Sequence, residues 1–185
     1  MNEVLDAIKR RFSCRYYTDE DVTKDQLKTI AEAGAMAPSA HNRKPWRIIV
    51  ITDKAIMAEL EAEALGRLRL LEDQRNFTYI SKRGGRIFYG APSVILVVTD
   101  TMQKNAQLDG GIVGQNMVLA ATSLDLGTVY CGFLRQAFTG ERGEAFRERL
   151  GIPQGFEFCC AVVVGHPAKT RDHLPPGLDH IRYIE

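Results

Sequence analysis

M-A-P-S-A-H-N-R-K-P-W, residues 36–46, is the stretch on which the interpretation of this sequence depends. It follows a helical pattern and leads into an apolar run, so it connects a helix to a strand. Pro38 and Pro45 disfavour helical backbone at the residues before them, which leaves a short, stiff loop. Such a loop can hold a flat ligand against its backbone N–H groups and small side chains. A plain helix-to-strand connection explains the same residues, and local chemistry leaves both interpretations open.

Hydrophobic spacing on either side of this loop alternates between helical and extended patterns. The form T-K-D-Q at 23–26 is a capping box, which predicts the start of the helix that ends before Pro38. The other predicted helices cover residues 2–10, 54–72, 105–124 and 141–150, and the predicted strands cover residues 46–53, 93–99, 127–133 and 156–164. This alternation predicts one α+β domain over residues 1–185.

Four segments carry more specific expectations. Strand 46–53 has few polar interruptions, so we expect it to be buried on both faces. Helix 105–124 is apolar nearly all round and must be covered on every side, either within a monomer or in a dimer. Residues 73–90 are polar and predict a surface excursion at a pocket mouth. The end of the chain, 178–185, is expected to form a strand or to cover an edge.

Composition narrows the class of protein. The chain has 185 residues, of which 45% are hydrophobic, and this is enough for one good core. Its 24 Lys and Arg against 23 Asp and Glu argue against a general nucleic-acid binder. The charged N-terminal segment lacks the apolar core of a signal peptide, and no apolar run reaches membrane-spanning length. We therefore expect a soluble, cytoplasmic protein that binds neither nucleic acid nor membrane.

The cysteines and histidines match no metal-binding pattern. We expect the four cysteines, Cys14, Cys131, Cys159 and Cys160, to be buried reduced thiols. Because neighbours in a strand point to opposite faces, Cys159 and Cys160 should face away from each other. There is also no G-x-S-x-G, H-E-x-x-H, P-loop or G-x-G-x-x-G motif.

Cations accumulate near both ends of the chain instead. In an extended segment Arg11, Ser13 and Arg15 share one face, and their donors would suit a phosphate. A solvated basic face is an equally good interpretation. Lys169, Arg171 and His173 form the late group. With the small-residue loops between them, these cations suit a phosphorylated planar cofactor.

Five motifs in order resemble the nitroreductase family of FMN-dependent oxidoreductases. They are R-R-F-S-C-R-Y-Y, A-P-S-A-H-N-R-K-P-W, D-G-G-I-V-G-Q-N-M-V-L-A-A, L-G-T-V-Y-C-G-F and V-V-G-H-P-A-K. The resemblance implies a central, mainly antiparallel sheet flanked by helices and an intertwined homodimer with two FMN sites at its interface. It also implies that residues 54–90 vary to gate the substrate and that the tail, 166–185, extends over the partner subunit.

The resemblance further implies NAD(P)H as co-substrate and ping-pong hydride transfer through flavin N5 to a nitroaromatic, a quinone or a related small acceptor. The flavin carries the chemistry, so no side chain is expected to be catalytic. A flavin reductase, dehalogenase or oxidase on the same fold is an alternative. A module that binds or stores FMN without turnover is another.

Site residues follow from the resemblance by position. Arg11, Ser13 and Arg15 match the phosphate and ribityl binders, and Arg86 lies near the family's middle polar contacts. The loop against the flavin ring, contributed by the other subunit, corresponds to Pro38, Ser39, Ala40 and Asn42. The segment facing the ring near N5 corresponds to Val129, Tyr130, Cys131 and Gly132, with the Cys131 N–H as the candidate N5 donor.

Two departures from the family pattern affect these assignments. Lys44 stands where the family often has Gln before Pro-Trp. Pro175-Pro176 replaces the usual late Arg, so Arg171 or His173 must supply that charge.

Overall fold

A computed structural model of the chain describes residues 2–170 and 177–184. Its helices and strands are α1 (Glu3–Arg10), α2 (Lys24–Ala35), β1 (Trp46–Ile51), α3 (Lys54–Leu70), α4 (Arg75–Ser81), β2 (Ser93–Asp100), α5 (Ala106–Ser123), β3 (Gly127–Tyr130), α6 (Glu141–Arg149) and β4 (Phe156–Gly165). Short 3-10 helices cover Ala40–Asn42, Gly132–Phe138 and Leu178–His180. The predicted α+β class is confirmed.

The four strands form one sheet in the order β1-β2-β4-β3, and every neighbouring pair is antiparallel. The central strand β2 is buried along nearly its whole length. The expectation that β1 is buried on both faces is wrong, because Arg47 and Val50 are exposed. As the edge strand, β1 has a neighbour on one side only, and the helices cover it less completely than the centre.

Helices cover both faces of this sheet. On one face α2 and α5 pack against the buried residues Trp46, Ile95, Val97, Val162 and Val164. The other face packs against α3, α6 and the 3-10 helix Gly132–Phe138, and its core includes Leu60, Leu96, Leu134, Phe146 and Val163. The sheet therefore separates two hydrophobic clusters, each closed by helices.

The helix that precedes the 36–46 loop begins as predicted. The Thr23 hydroxyl accepts the Gln26 N–H at 3.2 Å, and the Gln26 side chain accepts the Thr23 N–H at 3.0 Å. These bonds satisfy two of the N–H groups that a helix start leaves unpaired. At the C-terminal end of the same helix, the Met36 N–H donates to the Glu32 carbonyl at 3.1 Å and the Ala37 N–H donates to the Gly34 carbonyl at 3.0 Å, which fixes where the loop begins.

The segment 73–90 differs from the predicted surface excursion. It contains α4, and it buries Ile80, Ile87 and Phe88. The Glu61 carboxylate of α3 accepts the backbone N–H groups of Ile87 and Phe88 at 2.7 and 2.9 Å. This segment is therefore anchored in the core as well as lying at the surface.

The predicted covering of α5 is incomplete within one chain. Leu108 is 67% exposed, Gly111 is exposed, and Ile112 is only partly buried. These positions are three and four residues apart, so they form one stripe on the helix. An apolar stripe of this kind is left over after the chain's own helices and sheet have packed.

One further sequence expectation is wrong in detail. The strand expected over 127–133 ends at Tyr130, and the chain then turns into the 3-10 helix Gly132–Phe138. In the described part of the tail, Leu178–His180 is a 3-10 helix and 181–184 has no regular structure within the single chain, so the expectation that the tail covers an edge stays a prediction. Tyr183 and Ile184 are 81% and 87% exposed.

Candidate functional site

A cationic cleft lies where the segment after α1 passes β3 and the start of the tail. Its volume is about 280 Å³, and its lining consists of Phe12, Ser13, Arg15, Tyr16, Arg83, Lys169 and Thr170. Three cations and three hydroxyl groups are thus brought together from three distant parts of the sequence. An anion with several oxygens is the ligand that such a set of donors favours.

Arg15 is held in this cleft by its backbone neighbours. Ser13 bridges to Thr128 of β3 in a parallel arrangement, and the Cys14 N–H donates to the Thr128 carbonyl at 2.8 Å. The Arg15 guanidinium donates to the Ser13 carbonyl at 3.3 Å and lies beside the phenol of Tyr89. Burial raises the pKa of Tyr89, and the Arg15 charge partly offsets this shift.

The Nε atom of Arg15 is buried and has no hydrogen-bond partner among the described residues. A buried donor without a partner costs about 1–3 kcal/mol. An anionic oxygen in the cleft would remove that cost. This unpaired atom is the best evidence in the structure for an anion site.

The prediction that Arg11, Ser13 and Arg15 share one face of an extended segment holds only in part. Cys14 packs into the core beside Gly127, where an ideal Cβ would lie 2.8 Å from the Cys14 thiol, so only glycine allows this approach. Tyr16 is 60% exposed and lines the same cleft as Ser13, with the Lys169 ammonium 4.6 Å from its ring. Arg11 does not line the cleft. It lies near Tyr130 instead, where burial raises the pKa of the phenol and the Arg11 charge partly offsets this shift.

The 38–42 loop lies beside the N-terminal end of α5. The Ala40 N–H donates to the buried carboxylate of Asp109 at 3.3 Å, and the Ser39 hydroxyl accepts the Lys44 N–H at 2.9 Å. Asn42 and Lys44 have φ values of 55° and 49°. Pro38 is exposed, and Ser39 and Ala40 are partly buried. The loop is therefore a fixed, surface-facing structure, and Lys44 stays exposed within it.

The loop and the cationic cleft are separate within one chain. A cleft of about 190 Å³ at the loop is lined by Ala40, His41, Arg43, Pro45 and the beginning of α5. It shares no lining residue with the cleft at Arg15. The structure therefore does not bring Pro38, Ser39, Ala40 and Asn42 together with Ser13 and Arg15 in a single subunit.

The end of β3 presents backbone groups near the cleft. Val129 is buried and Tyr130 is 44% exposed. The Cys131 N–H donates to the Ala161 carbonyl at 2.8 Å, as part of the pairing with β4. That bond argues against Cys131 as the N5 donor, because its N–H is already engaged.

Gly132 is the better placed donor. It is exposed, it begins the 3-10 helix Gly132–Phe138, and its N–H has no backbone partner among the described residues. The first N–H groups of a helix lack partners within the helix, which leaves them free for a ligand. An ideal Cβ at Gly132 meets nothing within 4 Å, so the position opens onto free space.

The structure describes Arg86 but not the two late cations that were predicted as site residues. Arg86 lies 3.4 Å from the Glu61 carboxylate and lines a separate cleft of about 390 Å³, without Ser13 or Arg15. Arg171 and His173 lie outside the described residues.

Sequence reasoning did not assign Arg83 or Tyr89 to the site. Arg83 follows α4 and packs over the ring of Tyr79, 4.3 Å from its centroid, and Tyr89 has a φ of 56°. The neighbouring pair Gly84-Gly85 indicates a turn but not its direction. In the structure Ile87 and Phe88 pack into the core, and Arg83, just before this turn, lines the same cleft as Arg15.

Within residues 2–170 and 177–184, no group of three or more His, Cys, Asp or Glu side chains is arranged to hold a metal ion. The same residues contain no helix that is both long and apolar enough to cross a membrane.

The pattern of the nitroreductase family matches residues 8–166, and this chain belongs to that family. Among solved structures it is similar to an FMN-bound nitroreductase from Desulfitobacterium hafniense, with 45% identity, a TM-score of 0.96 and full coverage of both chains. An FMN-bound nitroreductase from Bacteroides fragilis has 26% identity and a TM-score of 0.90, also with full coverage of both chains. A curated relative, the NADPH-flavin oxidoreductase of Vibrio harveyi, is 30% identical over 95% of this chain and 70% of its own length.

Proposed function

We propose that this protein is an FMN-dependent oxidoreductase that takes hydride from NAD(P)H and delivers it to a small acceptor such as a nitroaromatic or a quinone. Family membership and the FMN-bound and flavin-reducing relatives support the class of reaction. When bound, FMN supplies the acceptance and release of hydride. The protein's contribution is to bind, orient and tune that group.

The buried, unpaired Nε of Arg15 carries this proposal. The residues around it fit the phosphate of FMN, since Arg83 and Lys169 add positive charge and Ser13 adds a hydroxyl. A guanidinium presents its donors in a fixed plane, which suits an oxyanion better than a single ammonium would. These groups would hold the phosphate. Arg11 precedes them in the same segment and lies near Tyr130.

The Gly132 N–H would donate to the flavin ring, in place of the Cys131 N–H. A hydrogen bond donated to N5 would orient the ring and make N5 a better hydride acceptor. No side chain at the site is required as an acid or base, because solvent can supply protons to a nitroaromatic or quinone.

The complete site requires two subunits in this proposal. Support comes from the separation of the 38–42 loop from the Arg15 cleft within one chain. The uncovered stripe on α5 at Leu108 and the exposed apolar residues of α1 add to it, since Val4 and Leu5 are 62% and 54% exposed. Apolar surface of this kind is typical of interfaces. The exposed tail residues Tyr183 and Ile184 would cover the partner.

The function is tested by adding FMN to purified protein, removing free flavin and recording the flavin absorbance. We expect stoichiometric yellow protein that bleaches anaerobically with NADH or NADPH. Addition of nitrofurazone, menadione or free FMN should restore the colour and identify the class of acceptor. Because donor and acceptor would use the site in turn, steady-state kinetics should be ping-pong. Protein that remains colourless would refute the proposal, and bound FMN without NAD(P)H oxidation would favour the binding module.

The two-subunit site is tested with Leu108→Glu, which places a charge in the uncovered stripe of α5. We expect light scattering after gel filtration to show a dimer for the wild type and a monomer with weakened FMN binding for the variant. Leu70→Glu is the matched control, because Leu70 is 77% exposed at the end of α3 and lies outside the stripe. A monomeric wild type that binds FMN fully would overturn this part of the proposal.

A further inference from the structure

Cys159 and Cys160 lie side by side on the same face of β4, contrary to the alternation expected from their sequence. In the pairing with β2, Val97 is opposite Cys160 and Val98 is opposite Phe158, so Cys159 has no partner. One extra residue in a strand is a β-bulge, and it shifts the facing of the next side chain. Both cysteines consequently pack against the cluster between the sheet and α5.

Helix α5 leaves space for both sulfur atoms. The Cys159 thiol lies 3.6 Å from the Gln107 carbonyl, and the Cys160 thiol lies 3.8 Å from the Gly110 carbonyl. An ideal Cβ at Gly110 would approach the Cys159 sulfur to 2.5 Å, and one at Gly114 would approach the Cys160 sulfur to 3.1 Å. Two glycines one turn apart on the helix thus make room for two adjacent thiols.

The two thiols also interact with each other. The neighbouring Cys160 thiol lowers the pKa of Cys159, and the nearby charge of Arg135 acts in the same direction. The same pairing and burial raise the pKa of Cys160. Cys159 is therefore the better nucleophile of the pair, because the thiolate is the reactive form.

These thiols differ from the other two cysteines in accessibility. Cys14 and Cys131 are 1% and 2% exposed, whereas Cys159 and Cys160 are only partly buried. β3 ends at Tyr130, opposite Val162, so it does not pair with the part of β4 that carries the two cysteines. Part of each of these two residues therefore remains at the surface of the single chain.

We propose that Cys159 and Cys160 form a dithiol site for thiophilic ions, of which trivalent arsenicals are the class that best fits two adjacent thiols. With phenylarsine oxide, two As–S bonds form and the bonds from arsenic to oxygen break. The two thiol protons leave with that oxygen as water, and arsenic stays trivalent, so no oxidant or reductant is needed. Cys160 adjoins Tyr130, which belongs to the segment assigned to the flavin ring, but neither thiol is itself among the proposed FMN contacts.

The experiment adds phenylarsine oxide to the reduced, folded protein and counts bound phenylarsenic groups by native mass spectrometry. We expect one group per chain, removed by 2,3-dimercaptopropanol but not by an equal concentration of 2-mercaptoethanol, because a chelate resists a single thiol. Cys159→Ser and Cys160→Ser should each weaken binding at least tenfold. Circular dichroism and thermal melting establish that each variant is folded.

A second pair of variants tests the geometry without removing a thiol. Gly110→Ala should displace the Cys159 side chain and weaken arsenical binding, whereas Gly66→Ala in α3 should not, because an ideal Cβ at Gly66 meets nothing within 4 Å. The proposal is overturned if the folded wild type binds no arsenical, or if either serine variant binds it as tightly as the wild type. Equal binding by the two alanine variants would also contradict the placement against α5.

Discussion

Arg15→Ala provides the sharpest test of the candidate site, because the buried Nε of Arg15 has no partner within residues 2–170 and 177–184. A hydrogen bond to a charged group contributes about 1.5–3 kcal/mol, so loss of this guanidinium should weaken FMN binding by roughly 10–150-fold. Riboflavin has no phosphate, and its affinity should change little. The difference between the two ligands therefore isolates the phosphate contribution.

Stability without flavin should respond differently. The variant removes a buried, unpaired donor whose burial costs about 1–3 kcal/mol, which offsets the packing lost with the side chain. We therefore expect the melting temperature of the apoprotein to change little, while the stabilisation that FMN adds becomes smaller.

Fluorescence titration of apoprotein with each flavin measures the two affinities, and scanning fluorimetry measures the melting temperatures. Arg149→Ala is the control, since this exposed cation has its own partner in Glu59, 2.9 Å away. Unchanged FMN affinity in Arg15→Ala would refute the assignment. An equal loss for FMN and riboflavin would also refute it, because it would indicate a general distortion of the site.

Three further predictions concern the ring contact, pH and the helix cap. Gly132→Pro removes the candidate N5 donor at a helix start that tolerates proline, and it should lower kcat/KM for NAD(P)H oxidation by about tenfold. Gly132→Ala keeps the N–H and should retain activity. Equal activity of the two variants would exclude this donor. Burial raises the pKa of the Cys131 thiol from 9.0 to about 12, so its contribution to stability is present below about pH 9 and is lost as the pH rises through 12. Urea denaturation should accordingly show a smaller loss of stability at alkaline pH for Cys131→Ala than for the wild type, and parallel losses would contradict this reasoning. Thr23→Ala breaks the capping box and should lower the free energy of unfolding by about 1 kcal/mol in urea denaturation, whereas an unchanged midpoint would show that the cap contributes nothing.

The order of the strands and of every α-helix except α4, the capping box at Thr23 and the helix-to-strand loop at 36–46 were predictable from the sequence. Each depends on contacts between residues close in the chain: hydrophobic period, side-chain caps and the backbone limits that proline imposes. The grouping of Ser13 and Arg15 with Lys169 was also accessible, because cations near both chain ends suited one anion.

The tertiary structure decided what local patterns do not contain. The bulge that turns Cys159 and Cys160 to one face arises from the register between β2 and β4, which is a long-range pairing. The bond from the Cys131 N–H to Ala161 has the same origin, and it is the reason why we propose the Gly132 N–H as the ring donor. The loop at 36–46 was predicted as a helix-to-strand connection, which the structure has, but its separation from the Arg15 cleft follows from its position at the start of α5. Spacing along the chain specifies which groups a segment presents, and only packing specifies which of them meet.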